Sequence, residues 1–226
     1  MRLILLRHGQ TEWNALDRYQ GGSDVELNRT GERQARAAAA GPVGDLLQQA
    51  CALRAVTSPL VRARRTAEIV LEDSVGAADL TVDPELRELG GGAWEGLEMA
   101  TIAQRWPREH HAWRTVPDLD AGPVGGEVLR VGGQRVLAAA ARHAAEAGWP
   151  ASDLDAPGDD GPRTLLVVAH GAVIRAAVGL ALGREGPEFA AIPRIDNARA
   201  AVLEGAFTRA GGSGGPGRWS LVGYGI

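Results

Sequence analysis

Thr164-Leu165-Leu166-Val167-Val168-Ala169-His170-Gly171 is the stretch that decides the fold. Its first six residues are apolar apart from the threonine and show no polar alternation. Such a run reads as a strand buried on both faces, as in a parallel sheet covered by helices. Near the N-terminus, Arg2-Leu3-Ile4-Leu5-Leu6-Arg7-His8-Gly9 has the same design, a short apolar run closed by histidine and glycine. Working outward, residues 54–57 and 80–82 read as further strands, and residues 198–203 and 219–224 as the last two. Helices are expected between them. Thr30 would cap one over 31–40, stopped by Gly41-Pro42, and Ser58 or Pro59 would open another through about Leu71, with Leu60, Ala63, Ala67 and Val70 on one face. Residues 97–105, 127–147 and 172–182 complete the set. Gly132 and Gly133 weaken the helix over 127–147 by about 1 kcal/mol each against alanine; they either permit a close helix contact or mark a break.

Strands alternating with helices predict an α/β fold. The expectation is a three-layer α/β/α sandwich with a mostly parallel central sheet. One domain over residues 1–226 is expected, carrying a small helical cap insertion at about 95–127 and a flexible loop at about 148–163. Residues 85–96 and 114–126 read as loop, and 211–217 as a glycine-rich turn.

Composition narrows the function. The net charge of −4 counts against nucleic acid as a partner, because such binders carry a basic excess. All 24 basic residues are arginine. A Schiff-base lysine and a Walker-type phosphate loop are therefore excluded. Cys51 is the single cysteine, so no disulfide can form within the chain, and a reducing compartment follows; the residue is expected to be a small buried hydrophobe. Arg7 and His8 interrupt the N-terminal apolar run too early for a signal core or a membrane span. The expectation is a soluble, cytoplasmic protein without a membrane partner; its alanine- and glycine-rich helices would allow a homodimer.

In open α/β sheets ligands bind beyond the carboxyl ends of the strands. That rule selects Arg7-His8-Gly9 and His170-Gly171. If the two strands are neighbours, the two imidazoles share one pocket. Each glycine would let the backbone approach a ligand and turn its N–H toward an anion. Arg7 and Arg62 stand at strand ends, and their guanidinium forks match a phosphoryl group. Fixed positive charge at these positions argues against a metal held by His8 and His170. His110 and His111 read as solvated, and His143 as structural.

Taken together, these stretches resemble the histidine phosphatase superfamily, also called phosphoglycerate mutase-like. The similar blocks are Leu5-Leu6-Arg7-His8-Gly9-Gln10-Thr11-Glu12-Trp13-Asn14, Gln20-Gly21-Gly22-Ser23-Asp24 with Leu27 and Gly31, Ser58-Pro59-Leu60-Val61-Arg62-Ala63 with Thr66-Ala67, Leu86-Arg87-Glu88 with Gly92-Ala93-Trp94-Glu95-Gly96, and Val168-Ala169-His170-Gly171 with Ile174-Arg175. The resemblance implies a metal- and cofactor-independent phosphatase acting on a small-molecule phosphate ester. His8 would be the nucleophile and Glu88 the proton donor to the leaving group. Arg7, Arg62 and His170 would hold the phosphoryl oxygens, with Asn14, Gln20, Gly21 and Gly171 completing the phosphate site. Glu88 could instead be spent in a salt bridge with Arg87 or another arginine.

The block at 92–96 resembles the phosphatase branch more than the mutases. The 148–163 loop and Asp196-Asn197-Ala198 are similar to the glucosyl-3-phosphoglycerate phosphatases. In the cap, Trp106 and Trp113 would either wall the substrate or pack in the cap core. Gly126-Glu127 is followed by Val128 where relatives often have serine. A phosphoglycerate mutase and a non-catalytic phospho-ligand sensor are the alternatives.

Overall fold

The two apolar runs pair with each other. In the computed structural model, which describes residues 1–76, 78–149, 161–207 and 217–226, strand β1 (Arg2–Arg7) lies parallel to a later strand over Arg163–Ala169, with Arg7 opposite Ala169. Between them in sequence come β2 (Ala52–Thr57) and β3 (Leu80–Val82), which makes the Arg163–Ala169 strand β4; β5 (Ala200–Ala206) and β6 (Arg218–Tyr224) follow. The sheet order is β3-β2-β4-β1-β5-β6. The first four strands run parallel, and β5 and β6 add an antiparallel edge.

The helices, in chain order, are α1 (Glu12–Ala15), α2 (Arg29–Ala39), α3 (Pro42–Gln48), α4 (Val61–Val75), α5 (Met99–Arg105), α6 (Pro107–His110), α7 (Leu129–Glu146), α8 (Gly171–Ala181) and α9 (Gly186–Ala190). The strand period of two sorts β1 into two cores. Leu3 and Leu5 pack with α7, α8 and Phe189 of α9. Ile4 and Leu6 face α2, α3 and α4. The result is the three-layer sandwich with a mixed, mainly parallel sheet. No helix among the described residues is long and apolar enough to cross a membrane.

Gly132 and Gly133 mark a contact, not a break. A Cβ at Gly133 would come within 2.7 Å of the Ala176 backbone on α8, and one at Gly132 within 2.2 Å of a Leu89 methyl. Helices α7 and α8 therefore touch closely over the sheet. Helices α5 and α6, with a single π-turn at His111–Thr115, form the helical insertion. Tyr19, Trp94, Met99 and Ile102 make its own small core, with Trp106 and Trp113 packed against it.

Several expectations need correction. The cap of α2 is Asn28, whose side chain accepts the Gly31 N–H, so the helix begins ahead of Thr30. Gly41-Pro42 stops that helix and also starts α3, because proline suits a first helical position. Helix α4 begins one residue after Leu60 and continues past Leu71 to Val75. Cys51 is exposed, since it sits at the bend before β2, ahead of the buried part of that strand. Residues 85–96 hold two short 3-10 turns, Pro84–Leu86 reaching into that stretch and Gly92–Trp94 within it. His143 is structural as expected, with Nε2 2.8 Å from the Asp83 carboxylate. His111 is exposed and His110 half-buried. Most of the glycine turn at 211–217 and most of the 148–163 loop lie outside the described residues.

Candidate active site

Pairing of β1 with β4 places His8 and His170 side by side at two carboxyl ends. Their ring centroids are 5.2 Å apart at 59°. His8 Nδ1 lies 2.7 Å from the Gly9 carbonyl oxygen. A carbonyl only accepts, so Nδ1 carries the proton and Nε2 keeps its lone pair. His170 Nε2 lies 2.8 Å from Ser58 Oγ. That oxygen also accepts the Leu60 N–H, and its own proton can be donated to His170 Nε2. In that arrangement the His170 proton is on Nδ1, which is buried without a partner among the described residues. Burial, followed by the charges of Arg62 and Arg7, holds His8 well below the ordinary value of 6.5. Burial, then Arg62 and His8, does the same to His170. Both rings are neutral at neutral pH.

Two guanidinium groups flank the pair. Arg62, on the first turn of α4, is fully buried. Its Nη1 donates to Ser23 O (2.7 Å) and its Nη2 to Gly21 O (2.9 Å). Arg7 Nη1 donates to Ile195 O at 2.7 Å. The Nε of each is buried and unpartnered, and neither forms an ion pair among the described residues. Burial is the first cause of a fall to about 10 in both, so both keep their charge at neutral pH. A buried charge held only by carbonyls is costly until an anion arrives. Glycine matters at two points here. Gly21 has φ +51°, which presents its carbonyl to Arg62, and a Cβ on Gly171 would meet Arg7 Nε at 3.2 Å.

The remaining expected residues gather around this centre. Asn14 Oδ1 accepts the Thr11 N–H (3.1 Å) and an Asn197 Nδ2 proton (3.2 Å), which leaves the Asn14 amide nitrogen for the cavity. Gln20 Oε1 meets the Thr11 hydroxyl at 3.0 Å. Glu88 is anchored by buried Leu86 and Leu89 on either side. Its carboxylate accepts the N–H groups of Leu89 (3.0 Å), Ala172 (3.3 Å) and Val173 (3.4 Å), the last two at the start of α8. Arg87 turns away and faces Glu85 at 3.7 Å. One expectation fails: the Gly9 N–H does not point to the cavity but donates to Thr66 Oγ1 at 3.0 Å. Gly9 is required instead by close approach to Gly31, whose carbonyl oxygen would lie 2.4 Å from an added Cβ.

A cavity of about 370 Å³ opens on this cluster, lined by Arg7, His8, Asn14, Gln20, Gly21, Arg62, Glu88 and Gly171. His170, fully buried, stands behind its wall. The sequence reading missed Arg18, Arg114 and Arg194 on the same wall. These residues come from the chain near α1, the π-turn and the segment after α9, and nothing in their local pattern singles them out. Asp196-Asn197 was noticed only through resemblance; Asn197 donates to His8 O at 3.1 Å. Trp113 lines the cavity as well as packing on Tyr19 and Trp94, whereas Trp106 belongs to the cap core. Six arginines face three carboxylates, Asp17, Glu88 and Asp196, in a chain of net charge −4. Among the described residues no three His, Cys, Asp or Glu side chains group as metal ligands.

Comparison with known proteins places the chain in a family. The chain is 37% identical over 205 residues to a glucosyl-3-phosphoglycerate phosphatase of Mycobacterium tuberculosis, covering 90% of this chain and 85% of that one. It is 36% identical over 194 residues to a 2,3-bisphosphoglycerate-dependent phosphoglycerate mutase of Mesorhizobium japonicum, covering 82% and 84%. A solved structure of a mycobacterial glucosyl-3-phosphoglycerate phosphatase complexed with VO3 superposes with a TM-score of 0.78 at 32% identity, covering 99% of this chain and 98% of that one. Other curated relatives are much longer: the match spans 32% of a bifunctional protein of Mycobacterium tuberculosis, at 44% identity over 126 residues. The profile of the histidine phosphatase superfamily (branch 1) matches residues 3–210, and the chain belongs to that superfamily.

Proposed function

We propose that the chain is a phosphomonoesterase that works through phosphorylated His8. One observation carries this reading. The His8 Nε2 lone pair is made available by the Gly9 carbonyl, while Arg7 Nε, Arg62 Nε and His170 Nδ1 are each buried without a hydrogen-bond partner among the described residues. Three such donors around a neutral imidazole suit a phosphoryl group.

In the first step His8 Nε2 attacks phosphorus, and an N–P bond forms as the ester P–O bond breaks. Glu88 gives its proton to the departing alkoxide. In the second step water attacks the phosphohistidine; its proton goes to Glu88, the N–P bond breaks and the lone pair returns to Nε2. Arg7, Arg62 and His170 hold the equatorial oxygens throughout, assisted by Asn14, Gln20, Gly21 and Gly171. The arginines supply the positive charge that a metal would otherwise bring, so no step requires a cation or a cofactor.

The substrate we infer is a small phosphate ester with a second anionic group. The excess of arginine on the cavity wall supports this, and Trp113 offers an aromatic face for a sugar. Glucosyl-3-phosphoglycerate, the substrate in the name of the mycobacterial relatives, combines phosphate, carboxylate and sugar. A cytoplasmic location fits the single free thiol. Any homodimer would use surfaces other than Gly132 and Gly133, which are spent inside the chain.

The test is phosphate release from sugar phosphates, phosphoglycerates and nucleotides with chelator present. Turnover that persists in chelator and disappears in His8→Ala supports the reading. Loss of turnover in chelator overturns it. Phosphate retained on the sugar acid identifies a mutase, and tight binding without turnover a sensor.

A further inference from the structure

Arg135 lies in the middle of α7 and lines no part of the cavity, yet its guanidinium is nearly buried. Every one of its polar atoms is used. Nε and Nη2 form a fork on Glu127, to Oε1 at 3.0 Å and Oε2 at 2.6 Å. Nη1 donates to the Arg87 carbonyl at 3.0 Å and also to that of Glu85. These two carbonyls belong to the segment that carries Glu88. Glu127 itself donates its backbone N–H to Gly90 O at 3.1 Å. Carbonyls before Glu88 are therefore gripped by the Arg135 guanidinium, and the Gly90 carbonyl after it by the backbone of the Arg135 counter-ion, Glu127.

The side chain of Glu88 reaches from this segment to the first N–H groups of α8. Leu89 fits against Gly132, one turn of α7 before Arg135, where no side chain could be accommodated. The segment from 85 to 90 is thus fixed on α7 by a charge fork and an apolar contact. A loop without such anchors would leave the carboxyl group free to shift. Proton transfer to a leaving oxygen tolerates little displacement, because misplacement by about 1 Å can cost about a hundredfold in rate.

We propose that Arg135, with Glu127 as its counter-ion, is the positioning residue for the Glu88 carboxyl group. It touches neither substrate nor phosphoryl group. The charge of Glu127 is what allows a guanidinium to be buried there, since an unpaired one would be strongly destabilising. This explains why a glutamate that does not line the cavity precedes α7. The inference rests on the reading of Glu88 as the acid.

The experiment compares two phosphate esters on the same enzyme preparation. p-Nitrophenyl phosphate loses a group that departs as an anion and needs no proton. Glycerol 3-phosphate loses an alkoxide that does. The ratio of kcat/KM for the alkyl to the aryl ester does not depend on the fraction of enzyme that is folded, so a purely structural defect leaves it unmoved. The control Glu88→Gln should lower the ratio by about a hundredfold or more. Arg135→Gln should lower it by between about tenfold and a hundredfold. Arg135→Lys keeps the buried charge beside Glu127 but lacks the fork, and should lower the ratio by a smaller factor even if Arg135→Gln does not fold. A normal ratio in both Arg135 variants, with a lowered ratio in Glu88→Gln, overturns the positioning role. A normal ratio in Glu88→Gln overturns the acid assignment itself.

Discussion

His8 and His170 face each other across 5.2 Å, and each ring is held by its own hydrogen bond, His8 by the Gly9 carbonyl and His170 by the Ser58 hydroxyl. The pair is possible because β1 and β4 are neighbours in register, so that two histidines far apart in sequence end adjacent strands. Two buried imidazoles beside two buried guanidinium groups can remain only if the imidazoles stay neutral.

That condition sets a pH dependence of stability. Burial is the first cause, and Arg62 the second, of holding both rings well below their ordinary value. In the unfolded chain each titrates near about 6.5. As pH falls below that value the unfolded state takes up protons that the folded state refuses. The stabilisation is therefore complete above about pH 6.5 and is lost progressively toward lower pH. Urea midpoints of the phosphate-free protein should fall between about pH 7 and about pH 5. His8→Asn should flatten that slope, and an unchanged slope would assign the acid limb to carboxylates.

Ser58 is the hydrogen-bond partner through which the tautomer of His170 can be set. Its Oγ takes the Leu60 N–H, and when it gives its own proton to Nε2, His170 presents Nδ1–H to the site. Ser58→Ala removes that constraint with little packing change. We expect kcat/KM to fall about tenfold while stability changes by no more than about 1 kcal/mol, as for one lost hydrogen bond. Unchanged inhibition by orthophosphate together with unchanged turnover would dismiss the tautomer argument.

These two predictions show what a linear sequence reveals. The apolar runs ending at His8 and His170 are local patterns, and their buried, helix-covered sheet follows from them. Arg62 was legible by its register after Pro59. Ser58 was legible as a residue but not as a partner, because its bond to His170 spans 112 positions. Arg114 and Arg194 were silent for the same reason. They sit on the π-turn and on an irregular segment, where no periodicity relates side chain to cavity. Helix α3 was missed because Gly41-Pro42 reads equally as a stop and a start. Cys51 shows the limit of residue averages: cysteine is usually buried, but this one lies at a bend.

The contact between α7 and α8 carries a stability prediction. Gly133→Ala would set a methyl 2.9 Å from the Ala176 Cβ and closer still to its backbone. Overpacking costs about 1–3 kcal/mol. The gain in helix propensity, about 1 kcal/mol, offsets only part of it. Urea unfolding should show a net loss of up to about 2 kcal/mol. A stabilised variant would mean that the two helices can move apart freely, which their shared hold on the 85–90 segment opposes.

Arg194 separates the two ways in which an outer arginine could act. Among charged neighbours it acts most strongly on Arg7, and it lines the cavity without an ion pair among the described residues. If it binds a second anionic group of the substrate, Arg194→Gln should matter only when that group is present. 3-Phosphoglycerate and glycerol 3-phosphate differ by a carboxylate in place of a hydroxymethyl group. For the first ester kcat/KM should fall about tenfold, the worth of one hydrogen bond to a charged group, and for the second by less than about twofold. The difference should shrink at high salt, since Arg194 is exposed and its field is screened. Equal losses on both esters would mean that Arg194 acts through the potential at Arg7, on the phosphoryl group common to every substrate. The second anionic group would then have to be sought by Arg18 and Arg114 on the cap side of the cavity.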